Sequence, residues 1–208
     1  ISPAQFIPVA EKTGLILPLD HWVLQQACAR LKAWQQRPAL SRLRLAINVS
    51  GRQFKDPDFI DQVCTLTRQA GIAPMLLELE ITESVFLGDI TEAMQVLDRL
   101  DQAGFLLALD DFGTGYSSLS YLRRFPFDRL KNDRSFVRDL HTSADALAIV
   151  RAVSAMGKSL GMSVTVEGVE TQDQLALARA EGCAEAQLKG GQQAEEHEAT
   201  GHEGRDPN

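Results

Sequence analysis

Short apolar runs that each end on a polar residue alternate along this chain with longer segments of helical period. The runs cover 43–48, 76–80, 105–110, 128–131 and 162–167. Each closes on an apolar–polar pair: Ile47-Asn48, Leu79-Glu80, Leu109-Asp110, Leu130-Lys131 and Val166-Glu167. Between them, Leu24, Ala27, Cys28, Leu31 and Trp34 form one helical stripe, and Phe59, Ile60, Val63 and Leu66 form another. The punctuation agrees with this division. Ser2-Pro3-Ala4-Gln5 reads as a capping box that opens a short helix running to Gly14. Asp56-Pro57 opens a helix ended by Gly71, Asp89 caps one ended by Gly104, and a helix near 144–160 ends at Gly161. Thr171-Gln-Asp-Gln174 caps a last helix, and 184–188 forms a candidate final strand. Alternating strands and helices predict an α/β fold with a parallel sheet or barrel.

In such barrels the chemistry sits at the carboxyl ends of several different strands. Side chains alternate with period two, so Glu78 and Glu80 share one face and Leu77 and Leu79 the other. Leu106, Ala108 and Asp110 share a face in the same way. Carboxylates converging at one rim repel one another and lose hydration unless cations compensate. An oxygen-only donor set without His or Cys favours Mg²⁺ or Mn²⁺ over zinc. Asp110 and Asp111 would bridge or flank two such ions, and Lys131 would orient a nucleophilic water or stabilise developing charge. Any one of these residues alone reads more simply as a helix cap or a surface charge. Gly113 and Gly115 alone mark a turn, and Ser117 and Ser118 read as capping hydroxyls rather than nucleophiles. Recurrence at successive strand ends is what points to a site.

Composition narrows the picture. The chain has 208 residues, 44% of them hydrophobic, enough for one substantial core but slightly small for a complete eight-fold barrel. A formal charge of -7 leaves no basic footprint for long nucleic acid. Cys28, Cys64 and Cys183 are widely spaced and read as reduced core thiols of a cytoplasmic protein. No run of roughly 18 apolar residues predicts a membrane span, and no signal peptide is visible. The chain opens on Ile1, as expected of a fragment whose upstream sensor or membrane anchor lies elsewhere. Residues 188–208 are expected to form a polar, disordered tail, because from Lys189 onward no large apolar residue occurs. His197 and His202 lie in that tail and read as solvated.

Six segments together resemble the EAL family of bacterial cyclic di-GMP phosphodiesterases. They are 6–16, Asn48-Val-Ser50, Glu78-Leu-Glu-Ile-Thr-Glu-Ser84, 110–119, 131–137 and Glu167-Gly-Val-Glu-Thr171, in family order. The resemblance implies residues 1–187 as a partial EAL-type domain with a modified (β/α)8 TIM-like barrel, incomplete because its first strands and final strand are missing. It implies metal-dependent hydrolysis of cyclic di-GMP to linear pGpG with two Mg²⁺ or Mn²⁺ ions. Asn48, Glu80 and Asp110 resemble ligands of the first ion, Asp110 and Asp111 serve the second, and Glu167 is a further ligand. Lys131 resembles the residue that contacts the attacking water. Glu83 resembles the glutamate that holds the loop after the Asp110-Asp111 strand, a loop tied to dimerisation. Gln187 and Asp133 fall on the substrate side. A homodimer and an upstream sensor domain are the implied partners. The Glu-Ala-Leu motif itself is absent, so the alternative reading is a catalytically inactive EAL-like module that binds cyclic di-GMP or a protein. Asn132 departs from a position that is usually apolar; by alternation with Lys131 it should face the helices, where an unpaired amide costs on the order of 1–3 kcal/mol.

Overall fold

A computed structural model of the chain describes residues 1–113, 122–138, 140, 143–183 and 185–188. Gly115, Ser117 and Ser118, and the tail from 189 with His197 and His202, lie outside the described residues. Six parallel strands form one sheet in chain order: β1 (Leu45–Val49), β2 (Leu77–Thr82), β3 (Leu106–Phe112), β4 (Arg129–Asn132), β5 (Ser163–Val169) and β6 (Glu185–Leu188). This is the expected incomplete (β/α)8 arrangement, with β1 and β6 at the two edges of the described sheet. The candidate strand at 184–188 is β6, and its last residue, Leu188, pairs with Val169.

The helices follow the predicted punctuation. They are α1 (Pro3–Thr13), α2 (Ile16–Gln35), α3 (Gly51–Phe54), α4 (Phe59–Ala70), α5 (Ile90–Gln102), α6 (Arg134–Arg138), α7 (Ala144–Ser159) and α8 (Gln172–Ala180). The Asp89 carboxylate accepts the Thr91 N–H at 2.8 Å, and Thr171 and Gln174 exchange capping bonds of 3.2 and 3.1 Å. α2 begins well before its apolar stripe. It has no side-chain cap, and Pro18 sits in its first turn, where an N–H has no helical partner to lose.

The two faces of the sheet are chemically opposite. Ile47, Leu77, Leu79, Ile81, Leu107, Leu109, Leu130, Val164 and Val166 are buried in the main core, so one alternating set packs against the helices. The other set carries Asn48, Glu78, Glu80, Asp110, Arg129, Lys131, Thr165, Glu167, Glu185 and Gln187 toward the barrel interior. A typical barrel fills that interior with branched apolar side chains; this one fills it with charge. Cys28, Cys64 and Cys183 are all free thiols.

Candidate active site

The rim is built by register. β1 and β2 pair so that Asn48 stands beside Glu80, and β5 and β6 pair so that Glu167 stands beside Gln187. Lys131 projects between them from β4. Its ammonium lies 2.6 Å from Glu80 Oε1, 3.2 Å from Asp110 Oδ1 and 2.6 Å from Glu167 Oε1. The ammonium is almost wholly buried, with 4% of its side chain exposed.

Strict alternation would send Asp110 and Asp111 to opposite faces. A bulge prevents this. Between Leu109 and Phe112 the β3–β4 register shifts, and Asp111 takes φ 54, the one positive value among the described non-glycine residues. Aspartate tolerates this region better than bulky or β-branched residues do. The result is that Asp110, Asp111 and Glu167 each present a carboxylate oxygen within 4.8 Å of the others. The spacing of the sequence showed the pair but not the backbone reversal that makes both halves useful.

The electrostatics are those of an undercompensated anionic site. Burial pushes the Glu80, Asp111 and Glu167 carboxyls above the usual carboxylate range. For Asp111 the neighbouring Asp110, Asp133 and Glu167 add to the shift. For Glu80 and Glu167 the hydrogen bond from Lys131 offsets only part of it. Burial alone would lower the Lys131 ammonium, but hydrogen bonds to Glu167 and Glu80 outweigh it, so Lys131 stays firmly protonated. One ammonium pairs with three carboxylates, those of Glu80, Asp110 and Glu167, and a fourth, Asp111, clusters with Asp110 and Glu167. Hard oxygen donors with excess negative charge fit a divalent cation of the Mg²⁺ or Mn²⁺ class.

The remaining predicted residues surround this cluster. Glu83 opens a 3₁₀ turn, Glu83–Leu87, directly after β2, and its Oε1 accepts the Gly113 N–H at 2.8 Å, next to the Asp110-Asp111 bulge. Phe86 in that turn stacks on Phe125 with ring centroids 4.7 Å apart, which pins the turn to the wall. Asp133 accepts the Ser135 N–H at 2.9 Å at the start of α6. Burial pushes its carboxyl up, but the Ser135 hydrogen bonds prevail and hold it below the usual range. Glu167 depends on Gly168, whose φ is +70; a Cβ there would also come within 2.8 Å of the Arg134 Cβ.

A cleft of about 560 Å³ runs down the inner face from this rim. Its deeper wall holds residues that the sequence reading did not assign to the site: Arg129, Thr165 and Glu185, with Glu78. The signal was available, since each stands two residues before a rim residue on the same strand face. A separate groove of about 530 Å³, lined by Lys55, Ile60, Val96 and Arg99, belongs to the helical exterior.

The sequence model of the EAL domain matches residues 1–187. The chain belongs to the EAL domain family. The cyclic di-GMP phosphodiesterase NbdA of Pseudomonas aeruginosa is 43% identical over 183 residues, which is 88% of this chain and 23% of that protein. The PaMucR phosphodiesterase, solved as a c-di-GMP complex, superposes with a TM-score of 0.87 at 39% identity, covering 90% of this chain and 76% of that one. The BlrP1 protein of Klebsiella pneumoniae, solved as a manganese and cyclic di-GMP complex, gives a TM-score of 0.68 at 34% identity, covering 78% and 42%. The chain spans 22–32% of the length of the first curated relatives it matches. No helix among the described residues of this EAL domain is long and apolar enough to cross a membrane.

Proposed function

We propose that this EAL domain hydrolyses cyclic di-GMP to linear pGpG with the help of two Mg²⁺ or Mn²⁺ ions. The observation that carries the reading is the ring of Glu80, Asp110 and Glu167 around a buried, protonated Lys131, with Asp111 clustered against Asp110 and Glu167. Such ions, when bound, supply Lewis-acid stabilisation of phosphodiester charge and an activated water. Asn48, Glu80 and Asp110 would hold one ion, Asp110 and Asp111 the other, with Glu167 as a further ligand. Lys131 would orient the attacking water and oppose the charge that develops on the phosphoryl oxygens. Water adds to phosphorus, the bond from phosphorus to the 3′ oxygen breaks, and the departing oxygen takes a proton, leaving one 5′ phosphate. Gln187 and Asp133 would face the substrate, and Glu83 would hold the bulged end of β3 in place through Gly113. The named phosphodiesterase relatives and the cyclic di-GMP complexes support this choice of substrate.

The test is chromatographic detection of pGpG from the purified chain with Mn²⁺ or Mg²⁺, beside Glu80→Ala. Product from the wild type and none from Glu80→Ala is expected. A cooperatively folded wild type that yields no product contradicts the reading.

A further inference from the structure

Beneath the acidic rim lies a second layer of inward side chains. The buried Arg129 guanidinium spans it. Its Nε donates to Glu78 Oε2 on β2 at 3.1 Å, and its Nη1 donates to Thr165 Oγ1 on β5 at 3.0 Å. The same Nη1 reaches over β5 to Glu185 on β6. The reach toward β2 is open because β3 places the small Ala108 opposite Arg129 in register. One planar fork therefore ties three strands together from inside the barrel, which a lysine at that position could not do with the same geometry.

β6 is where such a tie has consequences. It is four residues long, lies at the edge of the described sheet, and is hydrogen-bonded to β5 alone among the described strands. Its pairing with β5 is interrupted by a register shift between Glu167 and Val169. A short edge strand of this kind opens locally at little cost. Glu185 and Gln187 stand two residues apart on the inward face of β6, and Gln187 lies opposite Glu167 at the rim. Glu185, Gln187, Arg129 and Lys131 line one cleft.

We propose that Arg129 is a positioning residue: by clasping Glu185 from the layer below, it fixes β6 and so sets where Gln187 stands at the rim. Arg129 and Glu185 stand one layer below Lys131 and Gln187 and would act through Gln187. The consequence for substrate rests on the cyclic di-GMP reading above, whereas the clasp itself does not.

The experiment cuts the clasp at its exposed end. The Glu185 side chain is 54% exposed, so Glu185→Ala leaves the core intact. Hydrogen exchange is followed at the β6 and β4 amides of wild type and Glu185→Ala, without metal or substrate. The β6 amides should exchange about tenfold faster in the variant while those of β4 hold. With cyclic di-GMP and Mn²⁺, Glu185→Ala should raise KM about fivefold and leave kcat within about twofold. Glu185→Gln, which can still accept from Arg129, should fall between. In a Gln187→Ala background, Glu185→Ala should add nothing, because both act through one side chain. Unchanged β6 exchange overturns the proposal, and so do KM effects of the two substitutions that multiply. If the wild type turns over no substrate, the functional reading fails, while the exchange data still decide the clasp.

Discussion

All four residues of β4 are buried, yet its two faces treat polarity in opposite ways. Inward, Lys131 has three carboxylates around it and Arg129 has three oxygen partners. Outward, Asn132 is fully buried and neither Oδ1 nor Nδ2 has a hydrogen-bond partner among the described residues. The same backbone therefore carries compensated cations on one side and an uncompensated amide on the other. Burial of a polar group is costly when its partners are missing and tolerable when they are prearranged. The inner face is arranged for ions, and the outer face is an ordinary apolar core interrupted at one position.

The sharpest way to break this contrast is to remove a rim carboxylate. Asp110→Ala takes away a carboxylate shared by Lys131 and the Asp111–Glu167 cluster. Turnover of cyclic di-GMP should fall by at least about 10³-fold, equivalent to about 4 kcal/mol of barrier. A saturating Mn²⁺ addition that raises the wild-type melting temperature should leave this variant unmoved. Removing the compensating cation is next. Lys131→Met leaves buried carboxylates facing one another and should cost about 3–5 kcal/mol at neutral pH in a denaturant titration. The loss should shrink as pH falls and the carboxylates protonate.

On the outer face the sign reverses. Asn132→Leu replaces an unpartnered amide with a side chain of similar shape and should stabilise by about 1–3 kcal/mol. A denaturant midpoint that does not rise would show that Asn132 is satisfied after all. The smallest effect separates charge from geometry. The carboxyl of Glu167 is held above its ordinary pKa, so folding favours its protonated form. Its favourable contribution is complete below the ordinary Glu pKa and is lost as pH rises through the raised value. Without metal, the wild type should therefore lose stability relative to Glu167→Gln as pH rises across that window. A gap independent of pH would contradict the shift.

Much of this was legible in the sequence. The strand ends, most helix caps and the rim residues Asn48, Glu80, Asp110, Lys131 and Glu167 follow from period two and punctuation. The isolation of Asn132 also follows from alternation with Lys131. What escaped notice was nonlocal or conformational. The left-handed turn at Asp111, which brings two successive aspartates to one rim, depends on the register between β3 and β4. The early start of α2 has no cap residue to announce it. The Arg129 layer was hidden differently: Glu78, Arg129, Thr165 and Glu185 carry the inward period, but their partners lie on other strands and only the sheet order brings them together.

The measurement that bears most directly on the account is a calorimetric titration of the metal-free chain with Mn²⁺ at neutral pH, beside Asp110→Ala. Binding of two ions by the wild type and loss of that binding in the variant is the predicted result. A folded wild type that takes up no Mn²⁺, or a variant that binds as the wild type does, would show that the ring around Lys131 is a closed network of ion pairs and not a metal site.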